Sequence, residues 1–424
     1  MNRIIIPILI ILTGISISNA QELSIQELWN EVDKTYSIQE KRLNREVQEE
    51  QLRIRKSERI PVIYGDVNLQ RNLIIPTTPV PAIAFDPKAD EGAILPLKFS
   101  TKWNSKAGIQ LEWDLFNPTK RSQRKEDQIN LEKAKVSELQ SKQEWKINAT
   151  LAYASIVLAT EQYKAALADS ILYAEINNIN KDRYEAGRLS SSEYIVSQQE
   201  LLRKRINIHE SWSILEEANL ELGRYYPLER ISVLKNNIEE IVSLTDSIGE
   251  ENFDQQLISL DEQLAQIQLE GIKRQALPSL SFNAYYGGQY FSNSFNIVNK
   301  NYWYGYSYAN LGLKIPISAY FTNSASIRQA TLNEKIFRNQ LNEAKDSDAI
   351  DLKQKSSKIN SQNKRIKSLE EIKELAAQNK AEKLESYEAG RILLTEFNRA
   401  NSEYLKSCQD LWQAKYDLLK ITIE

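Results

Sequence analysis

One five-residue segment occurs twice in the sequence, about half a chain apart. Tyr184-Glu185-Ala186-Gly187-Arg188 recurs as Tyr387-Glu388-Ala389-Gly390-Arg391, a displacement of 387 − 184 = 203 residues in a chain of 424. An acid and an aromatic residue follow each copy, as Glu193-Tyr194 and Glu396-Phe397. Each copy lies in a polar stretch that favours helix, and its glycine interrupts that stretch. The repeat therefore predicts two copies of one structural unit, each with a helical turn that requires glycine.

The N-terminus has the parts of an export signal. Met1-Asn2-Arg3 provides a basic start, an apolar run extends from Ile4 to Ile17, and Ser18-Asn19-Ala20 supplies the small residues of a cleavage site. The run of about 14 residues is shorter than the roughly 20 that cross a bilayer as a helix. We predict a secretory signal peptide, residues 1–20, cleaved after Ala20. An uncleaved inner-membrane anchor is the alternative.

Four short segments alternate between apolar and polar side chains, which is typical of β-strands with two unlike faces. Their apolar sides consist of Ile63, Gly65, Val67 and Leu69; Ile109, Leu111, Trp113 and Leu115; Leu280, Phe282, Ala284 and Tyr286; and Leu311, Leu313 and Ile315. These segments predict two β-hairpins, at about 62–116 and 279–318. The first hairpin has a long loop punctuated by prolines.

A long stretch without proline or glycine follows each hairpin. The first runs from Thr119 to about Arg183, and the second runs from Ser324 to the second glycine turn. They predict helices of roughly 65 and 60 residues, each about 100 Å long. Ser24 and Glu27 form a capping-box pattern, so we expect the first helix to begin there and to continue to about Arg59.

The predicted order of elements is the same in both copies: helix, hairpin, long helix, glycine turn and helix. The first copy takes residues 21–223, with its turn at 184–188, and the second takes residues 257–424, with its turn at 387–391. Residues 224–256 break the pattern, and we predict that they form a short accessory segment.

Four strands cannot form a stable membrane structure alone. Open sheet edges would leave backbone N–H and C=O groups without partners in hydrocarbon, at several kcal/mol each. A closed barrel usually needs at least eight strands, so the chain must associate, as a dimer with eight strands or a trimer with twelve. Aromatic residues near the strand ends, among them Trp103 and Tyr290, favour a membrane. The alternative is a water-soluble protein whose hairpins pack under its own helices.

In their order and spacing, these features resemble the TolC family of trimeric outer-membrane efflux proteins. The resemblance covers essentially the whole chain after the signal peptide. It includes the strand opening Leu277-Pro278-Ser279-Leu280, and the segments Gly108-Ile109-Gln110-Leu111-Glu112-Trp113 and Gly312-Leu313-Lys314-Ile315-Pro316, which lead into the long helices. It implies a mainly α fold with a transmembrane β part. Long antiparallel helices would form a periplasmic α-barrel, and four strands per protomer would contribute to a 12-stranded trimeric β-barrel.

The resemblance also implies a function and a set of partners. The chain would be a passive duct in the cell outer membrane, extending into the periplasm, within a tripartite efflux or type I secretion system that exports small molecules or proteins. Its partners would be two further copies in a homotrimer, a periplasmic membrane-fusion adaptor, an inner-membrane RND or ABC-type pump, and outer-membrane lipid. It implies no catalytic residue, cofactor or metal ion.

By the same resemblance, both glycine turns lie at the periplasmic tip, where the adaptor docks. The implied docking residues are Tyr184, Gly187, Arg188, Tyr387, Gly390 and Arg391. Glu193 and Glu396 match the charged residues that close the tip in family members, whereas Arg399 stands where an acid is common and argues against a cation-binding acidic ring. The plainer alternatives are helix-capping glycines, tyrosines that pack between helices, and solvated acids.

The composition argues against other classes of function. A net charge of −3 indicates no nucleic-acid surface. Single His209, single Cys408 and the lack of a glycine-rich phosphate loop or clustered carboxylates argue against an enzyme. The alternative function is a periplasmic coiled-coil structural or adaptor protein with no pore.

Overall fold

The computed structural model describes residues 22–227, 233–245 and 251–423. The predicted signal peptide lies outside the described residues. The helices are α1 (Ile25–Trp29), α2 (Tyr36–Ser57), α3 (Pro118–Glu185), α4 (Ser191–Leu222), α5 (Ile238–Thr245), α6 (Phe253–Arg274), α7 (Ala319–Glu388) and α8 (Leu394–Ile423). The strands are β1 (Glu22–Leu23), β2 (Val62–Arg71), β3 (Thr78–Pro81), β4 (Ile94–Leu97), β5 (Trp103–Phe116), β6 (Val233–Leu234), β7 (Ser279–Ser292) and β8 (Trp303–Lys314).

Two helices are much longer than the three turns usual in globular proteins. α3 has 68 residues and α7 has 70. Pro118 occupies the first position of α3, where its missing N–H costs nothing and its fixed φ suits a helix. With a few strands beside these helices, the mainly α fold class predicted from the sequence is confirmed. Within the described residues, no helix has a stretch both long and apolar enough to cross a membrane.

The first predicted helix is interrupted. Its capping box is present, because the Ser24 hydroxyl accepts from the Glu27 N–H at 3.3 Å and the Glu27 carboxylate accepts from the Ser24 N–H at 2.9 Å. However, α1 ends at Trp29 and α2 begins at Tyr36, so the expectation of one helix to about Arg59 is wrong. If one unbroken helix ran through this segment, the Ile38 side chain would point about 220° around the helix axis from that of Ile25, away from the same core. The break allows both side chains to be buried in one core.

The chain divides into two compact units. The first, here called the helical unit, takes the described residues up to Arg42, those of Ser137–Phe253 and those from Ala344 onward. Its main core gathers apolar residues from both ends of the described chain and from the accessory segment, among them Leu23, Ile25, Leu28, Leu222, Ile241, Leu419 and Ile423. Tyr153 of α3 joins two of these parts, the N-terminal end and the accessory segment. Its buried hydroxyl donates to the Leu23 carbonyl at 2.8 Å and accepts from the N–H groups of Lys235 and Asn236.

The second unit, here called the sheet unit, comprises Leu43–Val136 and Asp254–Glu343. It contains a four-stranded sheet in the order β2-β5-β7-β8, in which all neighbours are antiparallel. The pairs β2–β5 and β7–β8 are the predicted hairpins, and the pairing of β5 with β7 joins them. Among the described residues, the outer edges of β2 and β8 have no strand partner. The long loop of the first hairpin holds a small sheet of its own, β3 paired with β4.

The strand register places the four apolar sides on one face of the sheet. Leu111, for example, lies opposite Ile63 on one side and Ala284 on the other. This apolar face is open, since Ile63, Val67, Ile109 and Leu311 are 62%, 79%, 57% and 61% exposed. The opposite face carries polar and tyrosine side chains, including a row formed by Tyr64, Gln110, Tyr285 and Tyr308. The sheet therefore has an exposed apolar face and a polar face.

Two glycines make room for a tyrosine on the polar face. Gly108 and Gly287 are partners across β5 and β7. A Cβ added to Gly108 would stand 2.7 Å from the Tyr285 hydroxyl and 2.5 Å from the Tyr286 carbonyl oxygen. Tyr285 is only 3% exposed, because it lies against these glycines. The close contact leaves no space for a larger residue.

We predict that Gly108→Ala destabilises the sheet unit by about 1–3 kcal/mol, because the added methyl group overpacks against backbone that cannot move aside. Gly65→Ala is the matched control, since Gly65 lies in the neighbouring strand with no atom within 4 Å of its Cβ position. Guanidinium unfolding of the purified protein in mild detergent, followed by tryptophan fluorescence, measures both variants. Equal unfolding midpoints for the two would contradict the prediction.

Candidate functional site: the paired glycine turns

The repeated segments form two identical helix-ending turns. Gly187 and Gly390 have φ angles of +71° and +74°, the left-handed region that favours glycine. In the first turn, the Arg188 N–H donates to the Arg183 carbonyl at 2.7 Å and the Gly187 N–H to the Tyr184 carbonyl at 2.9 Å. In the second, Arg391 donates to Ser386 and Gly390 to Tyr387, each at 2.9 Å. Both are Schellman caps, which satisfy the last carbonyl groups of α3 and α7.

Each turn also contains an aromatic pair, at equivalent positions of the two repeats. The rings of Tyr184 and Tyr194 stack with centroids 5.2 Å apart, and those of Tyr387 and Phe397 stack at 6.2 Å. The second pair is buried, with Tyr387 4% and Phe397 0% exposed, whereas Tyr184 is 41% exposed. The same contact therefore closes a small core in one repeat and remains accessible in the other.

Arg183 ties the first turn to the second. Its guanidinium donates to the carbonyl groups of Tyr387 at 3.1 Å and Glu388 at 2.8 Å, the last two residues of α7. It also lies over the Tyr387 ring, 5.2 Å from the centroid. The contact is favourable for two reasons. A cation at a helix C-terminus interacts well with the negative end of the helix dipole, and a cation over an aromatic ring is attracted by the negative face of that ring.

A series of hydrogen bonds between polar side chains supports this contact between the two turns from the protein interior. The Tyr387 hydroxyl donates to Asn180, the Asn180 amide donates to the Ser197 hydroxyl at 2.9 Å, and Ser197 in turn donates to Asn177 at 3.3 Å. Asn180 and Ser197 are almost fully buried. Burial raises the pKa of Tyr387, so the hydroxyl keeps its proton and remains a donor.

A cavity of about 660 Å³ lies between the two turns. It is lined by Asn180, Arg183, Arg188, Leu189, Ser192, Glu193, Val196, Tyr387, Glu388, Ala389, Gly390, Ile392, Leu393, Leu394 and Thr395. Of the six implied docking residues, Arg188, Tyr387 and Gly390 line this cavity. Tyr184 and Arg391 are exposed on the turns beside it, and Gly187 shapes the first turn.

The three implied gate residues have separate partners within the chain. The Glu193 carboxylate caps the start of α4, where it accepts from the Ser190 N–H at 3.0 Å and from the Ser190 hydroxyl at 2.7 Å. These hydrogen bonds lower the pKa of Glu193. Glu396 pairs with Lys383 at 3.5 Å, and Arg399 pairs with Glu403 one helical turn away at 3.1 Å.

A buried ionic layer, here called the Asp169 layer, crosses the helical unit at the level of Asp169 on α3, which precedes Gly187 by 187 − 169 = 18 residues. Asp169 accepts from the Lys204 ammonium at 2.9 Å and from the Asn401 amide at 2.8 Å. The Lys204 ammonium also lies 4.6 Å from the centre of the Tyr173 ring, and the Tyr173 hydroxyl donates to Asn398. These contacts join helices α3, α4 and α8. Nearby Lys380 on α7 has a pKa lowered by burial.

Sequence patterns alone did not identify Arg183, Asn180, Ser197 or the Asp169 layer. One signal was available, because several of these residues break the repeat. At the displacement of 203 residues, Arg183 corresponds to Ser386, and Asp169 corresponds to Ile372. Both Arg183 and Asp169 lack a polar or charged equivalent of the same kind in the second copy, and both contact residues of that copy.

This architecture has the fold of solved bacterial outer-membrane channels. The outer-membrane protein VceC of Vibrio cholerae matches it with a TM-score of 0.73 at 12% identity, over 94% of this chain and 94% of that chain. The open MtrE channel of Neisseria gonorrhoeae gives 0.69 at 13%, over 94% and 87%, and the CmeC channel of Campylobacter jejuni gives 0.67 at 14%, over 94% and 84%. No family model matches the sequence, and no curated protein matches it. At this level of identity the likeness is one of fold, and it confirms the fold that the resemblance to the TolC family implies.

We predict that Gly390→Val destabilises the helical unit by about 1–2 kcal/mol, whereas Gly390→Asn costs clearly less. The space around the Cβ position is open, so the cost arises from the positive φ alone, which asparagine tolerates and a β-branched residue does not. Unfolding midpoints of the two variants measure the difference. The same order is expected for substitutions of Gly187.

We predict that Asp169→Ala destabilises the helical unit by about 3–5 kcal/mol, because it leaves the Lys204 ammonium buried without a counter-charge. The double variant Asp169→Leu/Lys204→Met should recover most of the loss. Glu161→Ala on the same helix is the control, since its pair with Lys164 is solvent-exposed and is expected to contribute about 0–1 kcal/mol. Unfolding midpoints that are equal for Asp169→Ala and the double variant would show that the buried charge is not the cause.

Proposed function

We propose that this chain is the outer-membrane duct of a tripartite efflux or type I secretion system and that it works as a homotrimer. The duct is passive, since the chain itself supplies no reaction, and energy comes from an inner-membrane RND or ABC-type pump through a periplasmic adaptor. The proposal includes removal of residues 1–20 during export. The two repeats, 21–223 and 257–424 around the accessory segment 224–256, each contribute one hairpin to the barrel.

The observation that carries the proposal is the four-stranded sheet. Its apolar face is exposed, its opposite face is polar, and its two outer edges are unpaired among the described residues. Pairing of β8 in one copy with β2 in the next satisfies both edges, and three copies give 3 × 4 = 12 strands in a closed barrel with apolar residues towards lipid. The fold shared with outer-membrane channels over 94% of the chain supports the same arrangement.

We assign the paired turns to the periplasmic end of the duct, where the adaptor docks. The exposed side chains Tyr184, Arg188 and Arg391 contact the adaptor, and Gly187 and Gly390 shape the turns that present them. Tyr387 is buried and does not contact the adaptor; its side chain supports the cavity between the two turns. Among the gate candidates, the ion pair between Glu396 and Lys383 is the one that breaks when the duct opens. Glu193 instead caps the start of α4, and Arg399 pairs with Glu403 on its own helix.

Fractionation and conductance test this function together. The protein should fractionate with outer membranes, and the purified protein should form discrete ion-conducting channels in planar lipid bilayers. A periplasmic coiled-coil protein, the alternative function, would appear in the soluble periplasmic fraction and leave the bilayer current at baseline. Either of these results would overturn the proposal.

A bulky label on the turns should block docking without blocking the pore. The native Cys408 is buried, so a cysteine introduced at Leu393, which is 61% exposed beside the cavity, is the reactive thiol that a maleimide polymer reaches first. Labelled Leu393→Cys should capture roughly tenfold less adaptor from cross-linked cells than unlabelled protein.

The matched control for this label is Leu352→Cys, which is 67% exposed in the middle region of α7 and is remote in sequence from both turns. Its labelling should leave adaptor capture unchanged. Channel conductance in bilayers should be similar for both labelled variants. Equal capture by both would place the docking surface elsewhere.

A further inference from the structure

The polar face of the sheet is rich in tyrosine. Tyr64 on β2, Tyr285 on β7, and Tyr304, Tyr306 and Tyr308 on β8 all lie on it. The centroids of the Tyr285, Tyr306 and Tyr308 rings lie 5.7–6.1 Å apart from one another. Alternate residues of a strand share a face, so Tyr64 and Tyr304 lie on the same side of the sheet as this three-ring cluster, and the five tyrosines together are here called the tyrosine face.

Most of the tyrosine face is open. Tyr64, Tyr304, Tyr306 and Tyr308 are 40%, 56%, 40% and 38% exposed, whereas Tyr285 is buried over Gly108 and Gly287. A tyrosine that served only to fill space would be buried as Tyr285 is. The open rings instead present their π faces to whatever occupies the polar side of the sheet.

The chain shows that these rings accept a cation. The Lys106 ammonium lies 5.5 Å from the centre of the Tyr285 ring and is held there by Asp66. An ammonium group within about 6 Å of an aromatic centroid is attracted by the negative face of the ring. The neighbouring open rings of Tyr306 and Tyr308 offer the same interaction, with no protein cation over either of them among the described residues.

The charge on this face also favours cations. Asp66 is paired with Lys106, and Asp114 is paired with Lys120 at 2.7 Å. Glu112 has only neutral partners, because it accepts from the Tyr64 hydroxyl at 2.6 Å and from the Gln110 amide at 3.0 Å. Lys314 is the other cation on the face and lies at its far end, at the last residue of β8. An uncompensated carboxylate therefore adjoins the aromatic surface.

We infer that the tyrosine face binds organic cations with a flat aromatic ring as they pass through the duct. This inference rests on the proposed function, which turns the polar face towards the lumen. Three copies then bring 3 × 5 = 15 tyrosines and three Glu112 carboxylates into one ring. Aromatic stacking and cation–π attraction act together on a cation that carries a ring, whereas an aliphatic cation gains only the second and an aromatic anion only the first.

Channel block in planar bilayers tests the inference on the unaltered protein. Potassium chloride carries the current, and 1-methylquinolinium, tetramethylammonium and 1-naphthalenesulfonate are added in turn. The concentration of 1-methylquinolinium that halves the current should be at least tenfold lower than that of either other ion. Similar concentrations for all three would overturn the inference and leave the proposed function standing. If no channel forms, the proposed function fails and the inference fails with it.

Substitutions on β8 identify the groups responsible. Tyr306→Leu/Tyr308→Leu keeps apolar bulk but removes the rings, and it should raise the half-blocking concentration of 1-methylquinolinium about tenfold. Tyr306→Phe/Tyr308→Phe keeps the rings and should change it less than threefold. Tyr286→Leu on the apolar face is the control for a tyrosine lost from the same sheet, and it should have no effect.

The role of charge is tested separately with Glu112→Gln. This variant keeps the shape of the side chain and removes its charge, so 1-methylquinolinium should block less well while 1-naphthalenesulfonate should block better. If the leucine pair blocks like the phenylalanine pair, ring chemistry is not involved. Unchanged block of both ions in Glu112→Gln would show that the carboxylate does not contribute.

Discussion

Unpaired backbone groups at the two edges of one small sheet determine much of the rest of this structure. An N–H or C=O group in hydrocarbon costs several kcal/mol without a partner. In the part of the chain that the structure describes, the outer edges of β2 and β8 each present a row of such groups. Pairing between copies removes that cost only if every copy presents the same two edges in the same register. The two unlike faces suit the same proposed closure, because one would meet lipid and the other would enclose the lumen. In the proposed barrel, lipid would cover the apolar face that is exposed in the single chain, and assembly would cover the two sheet edges.

The helical unit relies on specific polar contacts as well as on its apolar cores. Its buried polar groups, Asp169 with Lys204 and Asn401, and Asn180 with Tyr387 and Ser197, fit one arrangement of the four helices. A shift of one helix along another would leave several of these groups buried without partners, at about 1–3 kcal/mol for each neutral group and more for charged ones. Such contacts fix the register of long helices, in which apolar side chains alone permit several registers.

Much of this fold could be predicted from the sequence. Alternation located β2 and the later part of β5, and the lack of proline and glycine located α3 and α7 to within a few residues. The beginning of β8 was missed, because Trp303, Tyr304, Tyr306 and Tyr308 put aromatic residues on both faces and erase the alternation. The break between α1 and α2 was missed because it depends on a core formed with residues far along the chain, such as Leu419 and Ile423.

The candidate site was predictable in part. The glycine turns could be predicted from the repeat, since this helix ending requires a residue with a positive φ angle, which glycine adopts most easily. The contacts between the turns were not predictable, because they depend on which residues of one repeat face which residues of the other. Glu193 illustrates the difference. Its spacing from Ser190 is that of a capping box, and the structure shows this local role, whereas a gate role depends on contacts that the sequence does not specify.

The contacts made by Arg183 and Asp169 make the two repeats unequal. Arg183 in the first repeat donates to carbonyl groups of the second, and Asp169 in the first accepts from Asn401 in the second. The second repeat has serine and isoleucine at the two equivalent positions, so it cannot return either contact. A copy of the first repeat in place of the second would put glutamine, the equivalent Gln198, where Asn401 stands. Asp169 would then lose the Asn401 amide but keep Lys204, which belongs to its own repeat, so the two repeats are not interchangeable.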